Sequence, residues 1–134
     1  MNKTLIIPKQ VVTADSNNSI HTSSAVEIVN DKINRIAPLS EFDIPNYSGK
    51  VLNLPELTLV PGFIQTHIHL CQTLFRGLAD DLELLDWLQL RIFPLENSHS
   101  SESLRVSAQL GIHELQMGGT TTILDMGTLR HQEV

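Results

Sequence analysis

The residues in this chain best suited to bind a metal ion are His67 and His69, separated by Ile68. On an extended strand, residues two apart project to the same face, so the two imidazoles stand side by side. Imidazole is a good donor for zinc, iron or nickel. Two ligands do not make a complete site, because catalytic zinc takes three protein ligands and a water. Read alone, H-x-H is a weak pattern, and its plainer meaning is two histidines hydrogen-bonded at a polar strand end. Gln65 falls on the same face and would stand behind the ligands. Cys71 continues the alternation, but a lone buried cysteine is usually a small hydrophobe, so we expect it not to ligate. His21, His99, His113 and His131 have no partner at ligand spacing and read as surface or local hydrogen-bonding residues.

The elements that must position the pair follow from apolar patterning. Residues 63–70 are apolar except for Gln65, Thr66 and the two histidines, the pattern of a strand buried on both faces. Asp80 and Asp81 are placed to cap a helix over 82–93, which Pro94 should end. Trp87 on that helix reads as packing. Arg76-Gly77 reads as a loop that shapes the strand's exit. A second helix is expected over 102–117, capped by Ser100 or Ser101. Its stripe is Leu104, Ala108, Gly111, Ile112 and Leu115. Gly118-Gly119 can stop it, and 121–126 is β-branched and apolar, a second buried strand with Asp125 in a structural role. Strand, helices, strand in this order is a βαβ unit with parallel strands and a right-handed crossover. The C-terminal end of such a strand is where barrel enzymes place their active sites.

Upstream, short strands are expected over 4–7 and 10–13, split by Pro8, and over 25–29 and 32–36 around an Asn30-Asp31 turn. A loop over 42–50 with Pro45 and Gly49 leads to strands at 51–54 and 57–60. Together they read as a small antiparallel β region.

Composition sets the outer bounds. The chain has 134 residues, 41% hydrophobic and 18% charged, which is globular rather than disordered. A net charge of -6 with scattered basic residues argues against nucleic acid. The single cysteine precludes an intrachain disulfide and suits a reducing cytoplasm. The N-terminal apolar run is too short for a signal peptide, and nothing approaches the ~20 apolar residues of a membrane span.

The segment LVPGFIQTHIHLCQTLFRGLADD resembles the first barrel strand of the amidohydrolase superfamily, in its cytosine-deaminase-like and chlorohydrolase-like branch. Further matching blocks follow in order: Leu85-Asp86-Trp87-Leu88, Pro94-Leu95-Glu96, Gly118 to Thr122, and Asp125-Met126. Gln65 stands where aspartate or asparagine is commoner elsewhere in the superfamily, and it removes no ligand. Within the branch the chain is most similar to deaminases of S-adenosylhomocysteine, methylthioadenosine and 5′-deoxyadenosine. The resemblance implies an α/β fold, a metal-dependent (β/α)8 barrel preceded by a small antiparallel β-sandwich. Residues 1–58 would be the sandwich portion and 59–134 the first βαβ portion. It implies His67 and His69 as ligands of one divalent metal (zinc, with iron as the alternative) and gives Cys71 no metal role. It also implies that Glu96 binds the ribose hydroxyls of a purine nucleoside, against the plainer reading of a solvated loop acid. The full-length enzyme would be a cytoplasmic homo-oligomer, with no nucleic-acid or membrane partner.

In such enzymes the remaining ligands and the acid/base residues come from later strands, and a barrel takes ~250 residues. No catalytic acid or base is therefore expected within this chain. We expect a truncated product, a fragment or part of a longer enzyme, binding metal weakly and prone to associate through exposed strand edges. The alternatives are a guanine deaminase or triazine hydrolase of the same branch, or a non-catalytic β-rich assembly module. The zinc-deaminase signature H-x-E with P-C-x-x-C is absent.

Overall fold

The computed structural model describes residues 2–78 and 81–128. Asp80 and His131 lie outside them. The chain divides into two units, Met1–Pro61 and Gly62–Val134.

The first unit is a five-stranded sheet centred on β1 (Lys3–Val12), whose aliphatic and β-branched residues favour extended backbone. β1 pairs antiparallel with β2 (Ile20–Thr22) and β3 (Ser24–Val29), and β3 pairs antiparallel with β4 (Lys32–Pro38). The β3–β4 turn is the expected Asn30-Asp31 pair, with Asn30 at φ 59°, a conformation asparagine tolerates. β5 (Lys50–Leu59) pairs with β1 in parallel, Thr4 opposite Lys50 and Val11 opposite Leu59. This corrects the expectation of an antiparallel region. The loop after β4 returns the chain to the start of β1, so β5 must run alongside it in the same direction. Neither proline splits its strand, because Pro8 and Pro55 sit where the β1–β5 register shifts and the ladder is already interrupted.

The core of this unit is Leu5, Ala25, Ala37 and Phe42, with Ile7, Leu39, Ile44 and Tyr47 packed against them. The Arg35 guanidinium lies 4.3 Å from the centre of the Phe42 ring. Beside it the buried Glu27 carboxylate accepts from Asn34 Nδ2 at 2.6 Å and from the Tyr47 hydroxyl at 3.1 Å, with Arg35 Nε at 3.4 Å. The Asn34 bond, then Tyr47 and Arg35, hold this carboxyl below its usual range, with burial working the other way. Burial and the bond to Glu27 push the Tyr47 phenol up. A depressed folded value means the stabilisation is present at neutral pH and lost as pH falls through that value. Glu27→Gln should lower the stability of this unit at pH 7 by about 2 kcal/mol, and its stability should fall less on acidification than the wild type's. The single tyrosine, Tyr47, reports this directly. Urea unfolding followed by its fluorescence at neutral and acid pH checks it, and an unchanged acid dependence in the variant would refute the assignment.

The second unit is strand, helices, strand. β6 (Phe63–Ile68) and β7 (Thr120–Asp125) pair in parallel, as expected for a βαβ unit. Between them lie a 3-10 turn at Leu70–Phe75 and a helical run of α1 (Leu84–Trp87), a π turn at Leu88–Ile92 and α2 (Phe93–Asn97). α3 (Ser101–Met117) follows. Both strands are largely exposed, contrary to the two-sided burial their composition suggested. Among the described residues no third strand joins this two-stranded sheet, so its edges and much of its apolar surface stay open.

The first helical run begins at Leu84 after Glu83, not at Asp81, and it passes through Pro94. The π turn resets the hydrogen-bond register, so Pro94 falls in the first turn of α2, where a missing N–H costs little. α3 starts at its expected cap: Ser100 Oγ accepts from Ser103 N at 3.1 Å, and Ser103 Oγ accepts from Ser100 N at 3.0 Å. It stops at Gly118 and Gly119, the latter at φ 83°. Its buried face is Leu104, Ser107, Ala108 and Gly111. Ile112 is exposed, so the face is rotated toward Ser107 relative to the apolar stripe. At Gly111 a Cβ would lie 2.7 Å from Thr73 Oγ1, so the helix rides directly on the 3-10 turn. No helix among the described residues is long and apolar enough to cross a membrane.

Candidate metal centre

The ends of β6 and β7 are fastened together where the histidines sit. Met126 N donates to Ile68 O at 2.8 Å, and Leu70 N donates to Asp125 Oδ1 at 3.0 Å. Asp125 thus has the structural role expected of it. His67 is the penultimate residue of β6 and His69 follows its end. Their Nε2 atoms are 3.2 Å apart, with ring centroids at 5.2 Å and planes inclined by 59°. Two nitrogens bound to one zinc at ~2.0–2.1 Å with tetrahedral angles would be about 3.3 Å apart. The pair therefore fits two donors on a single divalent cation. The same spacing suits an N–H···N hydrogen bond when one ring carries the proton there. His67 is exposed and His69 half-buried, so an ion can reach them from solvent. Among the described residues no third His, Cys, Asp or Glu converges with them.

Gln65 and His69 line a common hollow of about 450 Å³ with Leu70, Thr73, Arg76 and Glu114. Gln65 makes no hydrogen bond to either histidine among the described residues. Arg76 Nη2 pairs with Glu114 Oε2 at 2.8 Å and ties the turn to α3. His21 and His113 are exposed, and Trp87 is half-buried.

Cys71 does not share the histidines' face, because the chain turns into the 3-10 segment directly after His69 and the alternation ends there. It is buried, 1% exposed. Its thiol donates to Glu96 Oε1 at 3.3 Å. Burial first, then the bond to Glu96 and its charge, push this thiol up to about 12. A thiol held protonated against a carboxylate is a poor metal donor.

Glu96 is more than a solvated loop acid. It lies on α2, half-buried. Its Oε1 accepts from Gln72 Nε2 at 2.9 Å as well as from Cys71. With Phe93, Met126, Gly127 and Thr128 it lines a hollow of about 570 Å³. Sequence spacing carries no sign of this clustering, since the partners are some 24 residues apart. Nor does it single out His99. That side chain is buried, with Nε2 2.7 Å from the Cys71 carbonyl oxygen and Nδ1 2.9 Å from Ser103 Oγ. A carbonyl only accepts, so Nε2 carries the proton. Its position just ahead of the α3 cap offers no periodic signal.

The amidohydrolase family's sequence profile matches residues 58–134. Over 128 residues the chain is 34% identical to a 5-methylthioadenosine/S-adenosylhomocysteine deaminase of Syntrophobacter fumaroxidans, covering 96% of this chain and 29% of that one. Over 99 residues it is 48% identical to a 5′-deoxyadenosine deaminase of Methanobrevibacter smithii, covering 74% and 22% respectively. The fold superposes on the crystal structure of an adenosine deaminase from Xanthomonas campestris with bound zinc. The TM-score is 0.84 and the identity 30%, over 92% of this chain and 28% of that one. The chain thus spans less than a third of the length of each of these relatives.

Proposed function

The chain belongs to the amidohydrolase family, and from that premise we propose that it supplies the first metal-binding strand of a metal-dependent aminohydrolase acting on adenosine-type nucleosides. The substrates would be S-adenosylhomocysteine, methylthioadenosine or 5′-deoxyadenosine. β6 and β7 would be the first two strands of a (β/α)8 barrel, with residues 1–58 a β-sandwich portion and 59–134 the barrel portion. The observation that carries the reading is the 3.2 Å approach of the His67 and His69 Nε2 atoms at the C-terminal end of a parallel strand.

His67 and His69 would hold one divalent cation, zinc or iron. When bound, it supplies the Lewis acidity that makes a nucleophile available from water near neutral pH. Asp125 keeps the turn that bears His69 fastened to β7. Glu96 would bind the ribose 2′- and 3′-hydroxyls, a pairing suited to an ionised carboxylate. In the reaction water adds at C6 of the adenine, ammonia leaves, and a hypoxanthine nucleoside forms. The acid and base that move those protons would come from beyond this segment. The single cysteine and acidic balance support a cytoplasmic enzyme without nucleic-acid or membrane partners, and we extend the reading to a homo-oligomeric full-length protein.

The test is a chimera in which this chain replaces the matching segment of the Syntrophobacter fumaroxidans relative. With zinc added it should release ammonia from the three adenosine-type nucleosides, while the 134-residue chain alone should not. His67→Ala in the chimera should abolish the release. Turnover of guanine or a chlorotriazine in preference to the nucleosides, neither of which has a ribose for Glu96, would refute the substrate class.

A further inference from the structure

The turn after β6 does more than end the strand, because two consecutive residues of it grip the same carboxylate oxygen. Cys71 Sγ and Gln72 Nε2 both donate to Glu96 Oε1, at 3.3 and 2.9 Å. A carboxylate oxygen has two lone-pair sites, so Oε1 is filled. The acceptor capacity left to a ligand in the adjoining hollow is that of Oε2. The turn holding this grip is itself fixed at four points. Leu70 N is held by Asp125, Leu70 O accepts from Ser107 Oγ at 2.7 Å, Gln72 N donates to His69 O at 3.0 Å, and the Cys71 carbonyl accepts from His99 Nε2.

We propose that Gln72 is a positioning residue for ligand recognition. It orients the Glu96 carboxylate so that Oε2 receives the vicinal hydroxyls of a nucleoside ribose, in fixed register with His69 three residues before it. The inference rests on the reading of Glu96 as the ribose-binding residue. Of the two donors Gln72 is the stronger, since a thiol is a weak donor and the amide is both closer and polar. Without it Glu96 keeps a single thiol contact and can rotate away from the hollow. A purely structural tie between the turn and α2 would affect folding alone and leave the preference between ligands unchanged.

The experiment titrates the zinc-loaded chain with 5′-methylthioadenosine and with its 2′,3′-dideoxy analogue, following binding by NMR chemical shifts. The wild type should prefer the ribose ligand by roughly tenfold or more, the scale of hydrogen bonds to a charged group. Gln72→Met keeps the side-chain length without the donor. It should bring that preference to near parity while leaving binding of the dideoxy analogue unchanged. If Gln72→Met does not fold, Gln72→Asn, too short to reach Glu96, should give the same loss. An undiminished preference in whichever of these folds, with Glu96→Gln abolishing it, overturns the positioning role and leaves the reading of Glu96 standing. An undiminished preference in Glu96→Gln overturns that reading and this inference with it, as does binding of neither nucleoside by the wild-type chain.

Discussion

His67→Ala and His69→Ala should each weaken zinc binding to the chain by roughly a hundredfold. Four-ligand structural zinc sites bind with ~10–16 kcal/mol, about 3 kcal/mol for each ligand, which corresponds to a factor of that order. The two Nε2 atoms are close enough to share one ion, and no third titratable donor converges on them among the described residues. Water must fill the other positions, so the wild-type affinity should itself be modest and either single variant should leave only a one-imidazole site. Calorimetric titration with zinc against a competing weak chelator measures this. If either variant binds zinc as the wild type does, the 3.2 Å approach is an N–H···N hydrogen bond between the rings and the metal reading fails.

Leu104→Ala should destabilise the second unit by about 3 kcal/mol, the range found when a fully buried leucine leaves a cavity. Leu104 is 0% exposed, on the face of α3 that also buries Ser107, Ala108 and Gly111. That face supports the 3-10 turn through the Ser107 bond to Leu70 O and the close approach of Gly111 to Thr73. The only tryptophan, Trp87, belongs to this unit. Urea unfolding followed by its fluorescence therefore reports the second unit, as Tyr47 reports the first. A loss below about 1 kcal/mol, the scale of a surface substitution, would mean that the helix is not held by this contact.

Local signals were readable in the sequence wherever a short stretch determines its own conformation. The Asn30-Asp31 hairpin, the Ser100 cap, the Gly118-Gly119 stop and the parallel β6–β7 pair all stand where the residues place them. The side-by-side placement of His67 and His69 was legible because a two-residue period survives to the end of β6. Cys71 was misplaced on that face for the same reason, since alternation says nothing about where the backbone leaves the strand. Pro94 misled because a π turn changes the register in which a proline is tolerated, and no residue pattern announces that turn. The direction of β5 and the grip of Cys71 and Gln72 on Glu96 depend on partners brought together from distant parts of the chain. Hydrophobic periodicity carries no record of such encounters. His99 belongs with them, its role defined by a carbonyl 28 residues earlier.

Thr4 finds its partner Lys50 across a sequence separation of 46 residues, and this gives the first unit a temporal order. The β3–β4 hairpin closes over a two-residue turn and can form in microseconds, whereas a parallel strand must wait for the loop-closure entropy of everything between. On a ribosome, β1 would emerge before β5 and hold one edge unpaired until β5 has been synthesised. During that interval the unpaired edge of β1 is open to wrong pairing. On this topology the arrival of β5 should be the sheet's slowest step, and β5 is followed directly in the chain by the histidine-bearing strand.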